Sequence, residues 1–447
     1  MFSCSSQKSV ILILIVSTIL ILTCMSNVNA ERLSLDECIA IAKKANPDIR
    51  SADNSYKISK GRVWSSYGGL LPRLNSWLDG TRSISGPSDY SFVDQNSGRL
   101  VGGTTGISKS INYSAGISLQ QTLFDGGSNI YNVYDAKAAA EARRYNLIGT
   151  ERDIIYQVKE NYFSLLKSKM LLDVRDEAVK RGEEQLKIAQ SRYELGSASL
   201  SDVLKAKVQY GNDKLDRVEA ENSYLLAKAN LNYILNRDVN LDIEPIEEFD
   251  IREVEYNLET AMNTAMERNP NLLESEYALK SAKHQKNAAR GDWFPTFSIG
   301  ASYSWGNEEF SEIKNLIDQD YRWTLNGTIN FPIFDGFQRN ANYNSAKYSY
   351  RTAEDSYYTA KNSVALEIKQ AFLNLDKARE NLKLTEESQD AAKEDFNLAQ
   401  EKYNLGAATI LDLIDAQVSF KQAETNRIQS LFDYNLAVSQ LEKAMGL

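Results

Sequence analysis

The sequence predicts an α+β membrane protein that contains an internal tandem repeat, and three observations lead to this fold class. Residues 88–244 and 333–447 contain no proline, and apolar residues recur there at the three- and four-residue spacing of helices. Three shorter segments alternate apolar with hydroxyl or amide side chains, which is typical of strands with two different faces. The same phrases also occur in the same order in both halves of the chain.

The first thirty residues are interpreted as a secretory signal peptide. Lys8 precedes the apolar run VILILIVSTILIL, and the small residues of VNA at 28–30 fit cleavage by signal peptidase. This run has 13 residues, which is short for a membrane-spanning helix. Lipoprotein processing at Cys24 is the alternative, although Thr23 is bulkier than the residue that usually precedes a lipidated cysteine.

Composition argues against several classes of function. The formal net charge is −9, and it becomes −10 when Lys8 is removed with the signal peptide, which argues against a nucleic-acid partner. Only Cys38 remains after cleavage, so we expect neither a disulfide framework nor a cysteine metal site. The single histidine, His284, lies in the lysine-rich segment KSAKHQKNAAR and is expected to be a solvated helix residue. We therefore predict no enzyme activity, no metal and no cofactor.

The two halves of the mature chain align with each other. LDECIAIAKKANPDI from Leu35 matches LETAMNTAMERNPNL from Leu258 at an offset of 223 residues, whereas later segments match at an offset of 210. The 13-residue difference places a variable loop between Pro72 and Phe124. The predicted divisions are a signal peptide at 1–30, a first repeat at 31–240, an inter-repeat or equatorial segment at 241–257 and a second repeat at 258–447.

Each repeat is predicted to contain a helix, two strands, a long helix, a turn and a further helix. The long helices, over 128–194 and 336–404, would each be about 100 Å long at 1.5 Å per residue. The helices over 35–68 and 199–235 would be about 50 and 55 Å long, so two short helices end to end match one long helix. We expect these helices to pack lengthwise as a rod.

The strands are expected at one end of this rod. Residues 113–124, 296–305 and 321–331 carry apolar side chains on one face, and the strand near 73–83 alternates less regularly. One such strand would fit a half-exposed sheet of a soluble domain, whereas three favour lipid on one face and water on the other. Four strands cannot close a membrane barrel, so several chains would have to build it together. The tryptophans near these segments are expected to be interfacial anchors: Trp64, Trp77, Trp293, Trp305 and Trp323.

The phrases RYELGSASLSDVLKAK and KYNLGAATILDLIDAQ predict a helix–turn–helix at the other end. In each copy a glycine ends one helix, a hydroxyl residue caps the next, and an aspartate three residues later completes a capping box. These residues are Gly196, Ser199 and Asp202 in the first copy, and Gly406, Thr409 and Asp412 in the second.

Asp415 is not explained by capping. It lies three residues after Asp412, so both carboxylates share one helix face, and its counterpart in the first repeat is Lys205. One more solvated surface acid and a functional carboxylate are the two interpretations that the residues alone leave open.

These motifs resemble those of the outer-membrane efflux channels of the TolC type. The resemblance rests on LSLDECIAIAKKANPDI, on the strand-to-helix segments LFDGG and FPIFDGF, and on the paired YxLGxxxxxDxLxA phrases, and it covers nearly the whole mature chain. The strand-to-helix turns are formed by Phe124, Asp125, Gly126, Phe334, Asp335 and Gly336. The resemblance implies a homotrimer in which four strands per protomer form a 12-stranded β-barrel, continuous with a long α-helical coiled-coil barrel.

The resemblance also implies a function, a location and partners. The chain would be the exit channel of a tripartite efflux or type I secretion system in the outer membrane of a Gram-negative (diderm) bacterium, with its helical part in the periplasm. It would be in contact with outer-membrane lipid, with a periplasmic adaptor (membrane fusion protein), and with an inner-membrane pump of the RND, ABC or MFS type. An exported coiled-coil spacer or adhesin is the alternative from another class.

The resemblance assigns Asp412 and Asp415, with Asp202 nearby, to an acidic periplasmic aperture. A ring of like charges there would favour cations and resist anions. Family members also carry a basic residue that helps to lock this aperture, and the corresponding position here is Ala408.

Overall fold

The computed structural model describes residues 31–246, 249 and 256–447. The predicted signal peptide and part of the inter-repeat segment lie outside the described residues. Two compact units divide the chain. Unit 1 comprises the described parts of Met1–Asn54, Tyr145–Leu273 and Thr359–Leu447, and unit 2 comprises Ser55–Arg144 and Glu274–Tyr358.

Helices and strands follow one another in an order that recurs in the two halves. The helices are α1 (Leu35–Ala45), α2 (Pro47–Tyr67), α3 (Ser128–Glu194), α4 (Leu200–Ile234), α5 (Leu258–Arg268), α6 (Pro270–Gly291), α7 (Gln338–Asn404) and α8 (Ile410–Met445). The strands are β1 (Glu31–Leu33), β2 (Arg73–Ser85), β3 (Asp89–Val93), β4 (Leu100–Thr104), β5 (Ser108–Phe124), β6 (Ile243–Pro245), β7 (Thr296–Asn307) and β8 (Tyr321–Asn330).

The predicted long helices are confirmed. Both α3 and α7 contain 67 residues, and their bounds match the predicted segments to within two residues. At 1.5 Å per residue each helix is about 100 Å long. No helix among the described residues combines a length of eighteen residues with the apolar character that a membrane span requires.

The predicted single helix over 35–68 is wrong, because it is broken into α1 and α2 at Asn46. The side-chain Oδ1 of Asn46 accepts hydrogen bonds from the backbone N–H groups of Asp48 (2.8 Å) and Ile49 (3.4 Å). Pro47 then occupies the first position of α2, where its missing N–H costs nothing. Asn269 and Pro270 make the same break between α5 and α6.

Unit 2 contains an antiparallel sheet with the strand order β2–β5–β7–β8. Ile117 pairs with Tyr303, and Tyr303 pairs with Trp323, so the apolar residues of neighbouring strands share one face as predicted. The predicted variable region holds an additional hairpin, β3–β4, whereas a short 3₁₀ segment, Phe310–Asn315, lies between β7 and β8.

Two tryptophans do not behave as the predicted interfacial anchors. Trp77 pairs with Gly116 on the polar face of the sheet, and its ring covers this glycine so closely that a Cβ there would come within 2.2 Å. Trp305 lies on the apolar face but is only 1% exposed. The chain folds back near it, since the Tyr303 hydroxyl donates to the carbonyl oxygen of Leu316. Alternation in a strand could not reveal either packing arrangement.

Unit 1 has an apolar core where helix ends meet a small parallel sheet. β1 pairs with β6, and the Tyr162 hydroxyl of α3 donates to the carbonyl oxygen of Leu33 (3.1 Å). Cys38 is fully buried in this core together with Val158 and Leu231. Cys38, the only cysteine among the described residues, therefore acts as a small apolar side chain.

Candidate functional site at the helix turns

Both predicted helix stops are Schellman turns in unit 1. Gly196 and Gly406 have φ values of 74° and 75°, in the left-handed region that glycine enters without steric penalty. The Ser197 N–H donates to the carbonyl oxygen of Arg192 (2.8 Å), and the Ala407 N–H donates to that of Lys402 (2.8 Å). These bonds satisfy carbonyl groups that the ends of α3 and α7 would otherwise leave open.

Both predicted capping boxes are present at the starts of α4 and α8. The Ser199 hydroxyl accepts from the Asp202 N–H (3.2 Å), and the Ser199 N–H donates to Asp202 Oδ2 (3.0 Å). Thr409 and Asp412 repeat the pattern at 3.3 and 2.8 Å. Asp202 and Asp412 are therefore held in fixed positions by the turns that they stabilise.

These hydrogen bonds keep both carboxylates ionised to low pH. The Ser199 hydroxyl and then its N–H lower the pKa of Asp202 below its usual value. For Asp412 the Thr409 N–H is the larger cause of the lowered pKa, and the Thr409 hydroxyl is the second. The capping contribution is complete above the usual aspartate pKa, near 3.9, and is lost only as the pH falls through the lower folded-state value.

Asp415 is exposed, as Asp412 is, but it differs from both capping acids because its side chain makes no ion pair or hydrogen bond with another described residue. It lies on α8, one turn beyond Asp412. Lys205, its counterpart on α4, is also exposed. Asp415 is thus available to solvent or to a passing ion, and its role at an aperture stays a prediction.

Arg192 joins the two turns, and sequence reasoning missed it. Its Nη1 donates to the carbonyl oxygen of Tyr403 (2.9 Å), and its Nη2 donates to that of Asn404 (3.0 Å). The guanidinium carbon also lies 4.4 Å from the centre of the Tyr403 ring. A cation is stabilised at the negative end of a helix, so Arg192 both caps α7 and holds the two turns side by side. The only sequence signal was a basic residue in the last turn of α3.

A second unpredicted feature is a buried aspartate with its ion-pair partner between the helices of unit 1. Asp213 of α4 is fully buried, and Lys421 of α8 lies 3.2 Å from its Oδ1 and 2.9 Å from Asp216 Oδ2. Gly182 of α3 packs against Asp213, because a Cβ there would lie 3.0 Å from its Oδ2. This ion pair ties α8 to α4, and glycine is what allows α3 to approach.

In unit 2, the strand-to-helix turns also use aspartate and glycine. Asp125 accepts from the N–H groups of Gly127 (3.0 Å) and Asn129 (2.8 Å), which caps α3. Gly126 has a φ of 69°, and a Cβ there would come within 2.4 Å of the Gly291 carbonyl oxygen. These two glycines thus let the turn contact the end of α6 directly.

The second strand-to-helix turn repeats the aspartate and the glycine, but an aromatic residue follows them. Asp335 accepts from the Arg339 N–H (3.0 Å), and Gly336 has a φ of 67°. Phe337 has a φ of 71° where the first repeat has Gly127, and its ring packs edge-on against that of Phe334. The aromatic contact accompanies a backbone conformation that is unfavourable for phenylalanine.

His284 is not the solvated residue that its lysine-rich surroundings suggested. Its ring lies 6.3 Å from that of Tyr131 and 5.4 Å from that of Tyr134, between ring centres. The aromatic residues belong to α3, which the sequence could not place beside α6. In the described part of the chain, no group of histidine, cysteine, aspartate and glutamate is arranged to hold a metal ion.

The fold is that of outer-membrane channel proteins. The Campylobacter jejuni CmeC outer membrane channel superposes with a TM-score of 0.80 at 18% identity, over 92% of this chain and 85% of that one. The open-state MtrE outer membrane channel of Neisseria gonorrhoeae gives a TM-score of 0.76 at 21% identity, over 92% and 88% of the two chains.

Sequence comparison then identifies the family. Residues 38–237 and 261–447 match the outer membrane efflux protein family, and the chain belongs to it. Outer membrane protein TolC of Vibrio cholerae is 24% identical over 429 residues, which cover 95% of this chain and 92% of that protein. The alkaline protease secretion protein AprF of Pseudomonas aeruginosa is 23% identical over 69% of this chain and 62% of that protein.

Family membership confirms the resemblance that the sequence motifs suggested. The chain is an outer-membrane protein of efflux or secretion, and its helical part lies in the periplasm. The alternative of an exported spacer or adhesin has no support among the relatives, of which some are named for efflux or secretion.

Proposed function

We propose that the chain forms a passive exit conduit as a homotrimer, in which three four-stranded sheets close one 12-stranded β-barrel. The sheet supports this because β2 and β8 are edge strands, and an unpaired edge needs another strand. Its apolar face, with exposed Leu325 and Ile329, suits outer-membrane lipid, and its hydroxyl-lined face suits a water-filled interior. The helical hairpins of three copies would continue this conduit into the periplasm as a coiled-coil barrel.

The protomer itself is proposed to be a tandem duplication with a first repeat at 31–240 and a second at 258–447. The equal lengths of α3 and α7 support this, as do the matching caps at Asn46 and Asn269. The second repeat has diverged at Asp415, where the first has Lys205. In the proposed trimer, this divergence would give the α7–α8 hairpin of each protomer an acid where the α3–α4 hairpin has a lysine.

The periplasmic aperture is proposed to be formed by Asp412 and Asp415, with Asp202 contributing to the same potential. The observation that carries this assignment is the contrast between the acids: Asp412 is held in place by the Thr409 cap, whereas Asp415 is exposed and unengaged. Three copies around an axis would focus a negative potential that favours cations. Arg192, rather than a basic residue at Ala408, would hold the closed turns together.

The proposed partners are a periplasmic adaptor and an inner-membrane pump of the RND, ABC or MFS type. The relatives include an alkaline protease secretion protein and a cation efflux system protein, CusC of Escherichia coli, so protein secretion and small-solute efflux both fit. Deleting the gene and measuring drug susceptibility together with the secreted proteins would separate the two cargoes.

The aperture assignment is tested by single-channel recording of Asp415→Asn in lipid bilayers. Removing this charge should lower the preference for cations severalfold and weaken block by divalent cations, because the focused potential falls. Asp395→Asn is the matched control, since Asp395 is an exposed acid of α7 without a bonding role among the described residues. Unchanged selectivity and unchanged divalent block in Asp415→Asn would contradict the assignment.

A further inference from the structure

An apolar stripe runs along α4 without a partner in the described chain. The side chains of Leu204, Val208, Leu215 and Val218 are 53%, 64%, 65% and 59% exposed. With Gly211 they follow the alternating four- and three-residue spacing of a coiled-coil seam. A Cβ at Gly211 would meet nothing within 4 Å, so this stripe is open along its length.

A second stripe runs along α7, in the same unit. Leu384, Ala391 and Leu398 of α7, and Leu405 directly after its end, are spaced seven residues apart, and all four are exposed. The exposed fractions of the three leucines are 57%, 48% and 85% in chain order. Exposed apolar stripes on two long helices mark an interface rather than a solvated surface.

The two stripes match in height above the turns. The Arg192 contacts place the turns at Gly196 and Gly406 side by side, so residues can be counted from both glycines. Leu204 lies eight residues after Gly196, and Leu398 lies eight residues before Gly406. The same count gives fifteen residues for Gly211 and Ala391, and twenty-two for Val218 and Leu384.

Charged residues of opposite sign lie beside the two stripes at nearly the same height. Lys207 and Lys214 lie beside the α4 stripe, eleven and eighteen residues from Gly196. Glu394 and Glu387 lie beside the α7 stripe, twelve and nineteen residues from Gly406. The one-residue difference is about 1.5 Å in height. All four are exposed, and none forms an ion pair with another described residue.

We propose that α4 of one copy packs antiparallel against α7 of the next copy, with Leu204 against Leu398, Gly211 against Ala391 and Val218 against Leu384. Lys207 and Lys214 then face Glu394 and Glu387 across the seam. In a ring whose axis runs along the helices, all turns lie at one height, so the equal residue counts bring these pairs together. Small residues at the central pair allow a close approach. This seam rests on the proposed trimer and assigns the residues that hold it.

Cysteine crosslinking of the full mature chain tests the seam. The double variant Leu204→Cys, Leu398→Cys should form disulfide-linked dimers and trimers on mild oxidation. Leu204→Cys with Ala391→Cys is the off-register control, because its cysteines would lie about 10 Å apart in height and beyond disulfide reach. The single variants should stay uncrosslinked, and native Cys38 is fully buried in all of them.

Each other outcome would reject the seam, and the outcomes differ in whether they also reject the trimer. Links within one chain, equal linking of the off-register pair, or a trimer by native mass spectrometry that does not crosslink would reject the seam while leaving the proposed trimer intact. A monomer in detergent would reject the trimer and the seam together. Crosslinks only to a separate periplasmic protein in intact cells would assign the stripes to an adaptor instead.

Charge reversal provides a second readout. Lys214→Glu should weaken self-association by up to about fivefold, the range of an exposed ion pair. Adding Glu387→Lys should restore it, whereas adding Glu367→Lys, on the same helix but away from this height, should not. If Glu367→Lys restored self-association as fully as Glu387→Lys, the proposed register would be contradicted.

Discussion

At the scale of single residues, the periplasmic turns depend on backbone conformation and capping rather than on burial. Gly196 and Gly406 adopt positive φ values with open space around them, so the conformation itself requires glycine. Ser199 and Thr409 then start the next helices through reciprocal hydrogen bonds with the aspartates three residues later. The turns are therefore well determined by local sequence.

Gly406→Ala should destabilise the protein by about 1 kcal/mol, because alanine is disfavoured in the left-handed region. Gly61→Ala is the matched change, since Gly61 lies inside α2 with nothing within 4 Å of a Cβ and without a positive φ. It should stabilise the protein by about 1 kcal/mol through higher helix propensity. Unfolding followed by circular dichroism measures both changes in stability, and shifts in the same direction would show that the positive φ at Gly406 does not require glycine.

The residues that sequence reasoning missed are those whose partners lie far away in the chain. Arg192 binds carbonyl groups about 210 residues later, and His284 packs on aromatic rings about 150 residues earlier. Nothing within one repeat shows such contacts. The local phrase was sufficient for Ser199 and Thr409, because a capping box is completed within four residues.

At the scale of elements, the Asn-Pro pairs end one helix, start the next and bind a third. Asn269 is 3% exposed, its Oδ1 caps α6, and its Nδ2 donates to the carbonyl oxygen of Ala444 at the end of α8 (3.0 Å). Asn46 makes the equivalent contact with Ile234 at the end of α4 (3.4 Å). The proline signal was visible in the sequence, but an otherwise continuous helical pattern led to one predicted helix over 35–68.

Asn269→Ala should lower the free energy of unfolding by about 2 kcal/mol, because it removes a cap and leaves the Ala444 carbonyl without this donor. Asn362→Ala, at an exposed position inside α7, should change stability by less than about 0.5 kcal/mol. Denaturant unfolding of the two purified variants gives both values. Equal losses would show that Asn269 has no special role at this junction.

Sheet faces were predictable for the same reason that helix faces were, since period-two alternation fixes which residues share a side. The register confirms this for Ile117, Tyr303 and Trp323. Trp77 lies over Gly116, a residue of the neighbouring strand β5 that has no side chain. Alternation within β2 alone therefore could not predict this contact. The ion pair of Asp213 and Lys421 could not be predicted either, because its two residues lie on different helices, far apart in the sequence.

At the scale of the whole molecule, one chain leaves strand edges and apolar helix surface uncovered. The sheet leaves β2 and β8 as edges, and the α4 and α7 stripes stay exposed. In the proposed trimer, further copies of the same chain would cover both features, and the sequence suggests this trimer only through resemblance. Membership of the outer membrane efflux protein family establishes the setting in which such an assembly works.

Electrical recording of the purified protein in a planar lipid bilayer tests the proposed channel most directly. We expect the protein to need detergent for extraction and to insert into the bilayer with discrete, cation-preferring conductance steps. A protein that purifies without detergent as a soluble monomer, and that produces no conductance in the bilayer, would contradict it.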